Sequence, residues 1–144
     1  MTQEQVIPVV SGQRITPFLT FSGNAEEAMN YYVRTFPNSK LVSLRRFTKD
    51  DRGVEGKIMN GIIEILGQNF MVLDMEKEHC PDFTWAVSFY LECKDDAEFD
   101  LIFGGLKSDG KVLMGPVEMN DFSKVTWVTD CFGVTWQLVL RKKS

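Results

Sequence analysis

Two stretches of this chain follow one pattern, and that repetition narrows the folds open to it. Phe18-Leu19-Thr20-Phe21 runs into Asn24-Ala25-Glu26-Glu27-Ala28. Seventy-two positions later Tyr90-Leu91-Glu92-Cys93 runs into Asp96-Ala97-Glu98-Phe99. In each, a short β-prone run meets a polar capping residue and then a helical pattern. Farther on, Gly56-Lys57-Ile58-Met59-Asn60 leads to Gly67 and Phe70. Ser123-Lys124-Val125-Thr126-Trp127 leads to Gly133 and Trp136 at nearly the same spacing. A small sheet with one helix on it still has a bare face, and a second copy can cover that face. A site is then expected where the copies face each other.

The periodicity predicts the same elements twice. Residues 1–13, with Pro8 and Gly12, read as an N-terminal arm. Residues 15–21 read as a strand whose Pro17 must sit where no partner needs its missing N–H. Asn24 is placed to cap a helix over 25–36, with Glu26 and Glu27 favourable at its positive end. Ala25, Ala28, Met29, Tyr32, Val33 and Phe36 make its apolar stripe, and Pro37 ends it. Strands over 40–47, 56–66 and 70–75 follow, the last two joined by a turn at Gly67-Gln68-Asn69. After a polar linker the order recurs: a strand over 84–93, a helix capped by Asp95 or Asp96 and running to about Leu106, with Gly104-Gly105 near its end read as the stop, and a strand over 111–114. A hairpin of 124–130 and 134–140 closes the chain, with Asp130 fixing its turn. The expected class is α+β, with two tandem βαβββ modules at 14–75 and 84–141. A linker at 76–83 joins them in one structural domain.

Composition excludes several classes of function. The net charge is −4 and the pI about 5.0, whereas phosphate binding needs a clustered basic face. Arg45-Arg46 and Arg141-Lys142-Lys143 read as solvated charge at strand ends, so no nucleic-acid partner is expected. No apolar run is long enough to span a membrane, and no secretion signal is visible. Three cysteines without a CxxC pair fit reduced thiols and a cytoplasmic protein. Cys93 and Cys131 lie in apolar runs and read as packing residues. No glycine-rich loop joins a strand to a helix, so no nucleotide-type cofactor is expected.

Four blocks carry a family resemblance. They are Thr16-Pro17-Phe18-Leu19 with Phe21; Gly56-Lys57-Ile58-Met59; Gly67-Gln68 with Asp74; and Trp127 and Asp130 followed by Phe132-Gly133-Val134-Thr135-Trp136-Gln137. Over residues 14–141 the chain resembles the vicinal oxygen chelate superfamily, that is, the glyoxalase/bleomycin resistance/dioxygenase fold. Within it the chain resembles the PhnB-like branch, labelled 3-demethylubiquinone-9 3-methyltransferase. The resemblance implies two βαβββ modules curled into a half-open barrel around a cavity, and a homodimer. The label implies S-adenosylmethionine.

Active superfamily members chelate a divalent metal with His and Glu from the first strand of each module and from the last strands. Carried onto this chain, the first-strand positions are Thr16 and Ser88. The glutamate position is Gln137, matched in module one by Met71. Many relatives carry a histidine after the Gly-Lys-Ile-Met block; Asn60 stands there. The one histidine, His79, lies in the linker beside Cys80 and reads as an exposed pair, with an adventitious metal or redox site as the alternative. No metal is therefore expected.

The cavity lining expected from strand alternation is Phe18, Tyr90, Trp127, Met71 and Gln137, with Thr16, Thr20, Ser88 and Glu92 as polar points. The same residues could simply fill a small barrel. Glu64 and Glu92 are either solvated strand residues or, if buried, candidate general bases. The resulting expectation is a metal-free small-molecule-binding protein. The alternatives are a metal-dependent enzyme of the glyoxalase or dioxygenase type, and a purely structural domain.

Overall fold

A computed structural model describes residues 12–143, and the chain divides into two units, Met1–Pro81 and Asp82–Ser144. The arm expected over 1–13 lies, apart from Gly12 and Gln13, outside the described residues. The first unit runs β1 (Phe18–Phe21), α1 (Ala25–Thr35), β2 (Ser39–Arg46), β3 (Ile58–Ile65) and β4 (Gln68–Asp74). The second runs β5 (Ser88–Cys93), α2 (Asp96–Lys107), β6 (Lys111–Met119), β7 (Phe122–Thr129) and β8 (Thr135–Arg141). The sheet orders are β1-β4-β3-β2 and β5-β8-β7-β6. In each, the first strand runs parallel to the last and the other pairs are antiparallel. The expected α+β class and two βαβββ modules are what the chain forms.

Each helix packs its apolar stripe on its own sheet. In the first unit Ala25, Ala28, Met29 and Tyr32 are buried, as are Phe21, Ile63 and Val72 of the sheet. Met29 lies so close to Gly61 that a Cβ there would come within 2.5 Å of its Cε. In the second unit Phe99, Ile102 and Leu106 of α2 are buried, with Val128, Trp136 and Leu138 of β7 and β8. Full burial of such side chains stabilises by about 1.5–3 kcal/mol each.

Several boundaries differ from expectation, each for a local reason. Pairing of β1 with β4 begins at the Pro17 carbonyl, which accepts from Met71 N at 2.9 Å; Pro17 itself has no N–H to offer. The Asn24 side chain makes no capping bond. Asp74, at the end of β4 and in register with Phe21, takes that role. Its Oδ1 accepts from Gly23 N and Ala25 N at 3.0 and 2.9 Å. The hairpin turn is Leu66-Gly67, both at positive φ (49° and 86°), closed by the pair Ile65 and Gln68. Gly104 and Gly105 lie inside α2, which runs to Lys107; the reversal comes at Asp109, at φ 58°. At the other end of α2, Asp95 is the N-cap, accepting from Glu98 N at 2.8 Å. Strand β6 continues through Gly115-Pro116 to Met119. It is an edge strand with three register shifts, the setting in which a sheet tolerates proline. The strand expected from 84 starts at Ser88 instead.

Candidate functional site

Side chains alternate along a strand, so each sheet has a face under its helix and an opposite, open face that its own helix does not cover, on which Ile62 and Thr135 are nonetheless fully buried. Hydrogen bonds mark the open face of the second sheet. Gln137 Nε2 donates to Ser88 Oγ at 2.8 Å, Arg141 Nε donates to Glu92 Oε2 at 2.7 Å, and the Thr129 and Thr135 hydroxyls meet at 2.8 Å. Tyr90 and Trp127 are both in register with Gln137. One row therefore crosses three strands in the order Tyr90, Gln137, Trp127. The Trp85 ring stands against Trp127 at 6.4 Å between centroids and 67° between planes. Trp85 and Tyr90 are 66% and 57% exposed.

The first sheet repeats this layout in apolar residues. Phe18 and Ile62 are both in register with Met71, giving the row Phe18, Met71, Ile62. Met71 and Gln137 are thus structural equivalents, as the repeat in the sequence indicates. The counterpart of Trp127 is Ile62; the sequence spacing pointed instead to Asn60, two residues away. Of the candidate residues, Ser88, Tyr90, Trp127 and Gln137 come together on one face of the second unit. Phe18 and Met71 pair in the first, and Thr16 lies two residues ahead of β1, half-buried. Trp85 had no role in the sequence reading, which placed it inside a strand. An aromatic residue just ahead of the polar Ser88 was the available signal.

Most of the Trp127–Gln137 block serves the hairpin. Asp130 Oδ1 accepts from Phe132 N and Val134 N at 2.9 and 3.1 Å, and its Oδ2 accepts from Trp136 Nε1 at 3.0 Å. Gly133 supplies a positive φ of 96°. Of that block, Trp127, Thr129, Thr135 and Gln137 lie on the open face with Ser88 and Tyr90.

Charges near this face are mutually closed. Glu92 is exposed, and its hydrogen bond and charge hold the Arg141 guanidinium above its usual pKa. Lys142 meets Glu118 at 2.7 Å; on the helix side, Lys124 meets Asp96 and Asp100 of α2 at 2.9 and 3.1 Å. The terminal basic run is therefore largely neutralised. Glu64 is half-buried on β3.

Residues 13–139 match the family model for 3-demethylubiquinone-9 3-methyltransferase. The chain belongs to that family. Among solved structures it is similar to the PhnB protein from Bacillus cereus, at 40% identity and a TM-score of 0.82, covering 89% of this chain and 99% of that one. It is also similar to protein PA1353 from Pseudomonas aeruginosa, at 23% identity and a TM-score of 0.80, covering 92% and 100%. A glyoxylase/bleomycin resistance protein/dioxygenase domain from Frankia sp. EAN1pec shares the fold at 10% identity and a TM-score of 0.62, covering 96% of each chain. No curated protein matches the chain. This member of the PhnB-like branch has no described helix long and apolar enough to cross a membrane.

The metal implied by the superfamily does not fit the residues that this PhnB-like chain places at the ligand positions. Ser88 and Gln137 are neutral and hydrogen-bond each other, and the carboxylate on their face, Glu92, is held by Arg141. Among the described residues, the group able to offer three metal-ligating atoms is Glu76, Glu78 and His79, all exposed, on the 3-10 turn Lys77–His79 and the Glu76 that precedes it. The Glu78 carboxyl is held below its usual pKa by its own backbone N–H, then by Glu76 and by the His79 charge.

Proposed function

We propose that the protein binds a small organic molecule without a metal, on the open face of the second sheet, and does so as a homodimer. The observation that carries this reading is the 2.8 Å hydrogen bond between Gln137 and Ser88. It satisfies, with two neutral groups, the positions from which superfamily enzymes hold their ion. A carboxamide and a hydroxyl are poor ligands for a transition metal but good fixed polar points in an apolar pocket. The flanking Tyr90 and Trp127 supply apolar wall with polar tips.

The reading departs from the methyl transfer in the family's name. The N-terminal amides of α1 and α2 donate to their own chain's carboxylates, Asp74 and Asp95, which sets a negative charge at each helix end where an anionic cofactor group would otherwise bind. The exposed apolar residues Leu41 and Val42 on β2, and Val112 and Leu113 on β6, support association of copies.

The deciding measurement is elemental analysis of tag-free protein, purified without chelator from metal-supplemented cells. It is paired with thermal-shift screening of a small-molecule library in EDTA. The expected result is no stoichiometric transition metal and library compounds that raise Tm in EDTA. Near-equimolar metal that disappears in the Ser88→Ala and Gln137→Ala variants overturns the proposal and restores the metal-dependent enzyme.

A further inference from the structure

We infer that the open face of the second sheet takes a flat, uncharged heteroaromatic ring with hydrogen-bonding groups in its plane, held over Gln137 between Tyr90 and Trp127. This inference rests on the small-molecule reading above and narrows it to a ligand class.

The duplication supplies the argument. Phe18, Met71 and Ile62 in the first sheet hold the same registers as Tyr90, Gln137 and Trp127 in the second. All three positions are apolar in the first row. All three carry a polar group in the second: a phenol, a carboxamide and an indole N–H. Filling space needs none of these, and with Tyr90 exposed and Gln137 and Trp127 half-buried the row presents polar groups and ring faces that a ligand can reach. Strand spacing of about 4.8 Å puts Tyr90 and Trp127 about 10 Å apart at the backbone, with Gln137 as the floor. One ring can stack between two aromatic walls there at centroid separations of about 4.5–7 Å. Gln137 uses one polar atom on Ser88, and a carboxamide offers both a carbonyl oxygen and an amide nitrogen, so hydrogen-bonding capacity remains. Trp85, 66% exposed, stands edge-on against the Trp127 indole. The exposed Tyr90 and Trp85 rings leave apolar area whose removal from water favours a ligand. The ligand is uncharged because the carboxylate on this face is closed by Arg141 at 2.7 Å.

The test uses the full chain with assigned side-chain NMR signals for Gln137, Trp85 and Trp127. The probes are quinolin-2-one, its saturated counterpart decahydroquinolin-2-one, and tetramethylammonium. A lactam presents both a donor and an acceptor, so it suits the Gln137 amide in either orientation. Quinolin-2-one is expected to shift the Gln137 amide and Trp127 indole signals and to bind at least tenfold more tightly than the saturated lactam. Trp127→Leu and Tyr90→Leu, each checked for an unchanged fold by its NMR spectrum, are expected to abolish that preference. Equal binding of the two lactams overturns the ligand class and leaves the small-molecule reading standing. Shifts produced by tetramethylammonium alone replace the ring with a cation. Signals that follow protein concentration and no probe mean that a second copy covers the face, and then both readings fall.

Discussion

At the scale of single residues, the three cysteines separate by surroundings. Burial, and then the Glu98 and Asp95 carboxylates, push the Cys93 thiol up to about 12. The reactive species is the thiolate. At pH 8 a pKa of 12 leaves about one Cys93 in ten thousand ionised, whereas an ordinary thiol at 9.0 is about one-tenth ionised. Cys131 is exposed and Cys80 half-buried. Native protein at pH 8 should therefore react with Ellman's reagent first at Cys131, and Cys93 should react only after unfolding; mass spectrometry of the labelled peptides assigns each. Rapid native labelling of Cys93 would show that its pocket is open. Apolar neighbours in sequence marked both Cys93 and Cys131 as packing residues, and only Cys93 is one. Cys131 sits in the turn next to Asp130, where an apolar run says little about burial because the chain is reversing. Trp85 is missed for a different reason: a strand starting at residue 84 puts it, by alternation, on the face opposite Ser88 and Tyr90, whereas it stands ahead of β5.

Elements were legible where periodicity ran long and blurred where a distant residue set the boundary. Both helices and all eight strands were present in the pattern. The N-terminus of α1 was attributed to Asn24, the local candidate, and the cap is supplied from β4. Asp74 also accepts from Ile58 N through Oδ2 at 2.9 Å, so one buried carboxylate joins β4, the start of β3 and the β1–α1 turn. Sequence spacing cannot reveal a cap that arrives through sheet register. Asp74→Ala would leave three backbone N–H groups without this acceptor, and the expected loss is about 2–4 kcal/mol, read by urea denaturation. Asp74→Asn keeps one carbonyl oxygen and should lose less. Asn24→Ala should change stability little, because its side chain makes no capping bond. An Asn24→Ala loss as large as that of Asp74→Ala would refute this division of roles.

For the whole molecule, the duplication was the most legible feature, and it predicts surface as well as core. The offset of 72 that relates Phe18 to Tyr90 also relates Ile15 to Val87. Both residues precede the first strand of their unit, and both are exposed apolar side chains, at 89% and 69%. A repeat that retains an exposed hydrophobe at the same point in both copies marks a contact surface more strongly than either residue alone. The proposed homodimer would cover that surface with a second copy of the chain. Ile15→Asp and Val87→Asp should each weaken association, since burying an unpaired carboxylate at an interface is costly. Light scattering after size exclusion should move from twice the 16.5 kDa chain mass toward the single mass, most fully in the double variant. Circular dichroism should remain unchanged, because neither side chain belongs to a core. A wild-type chain that runs as a monomer at all concentrations would sink the dimer. A dimer untouched by both substitutions would keep it but move its interface to the exposed strands β2 and β6.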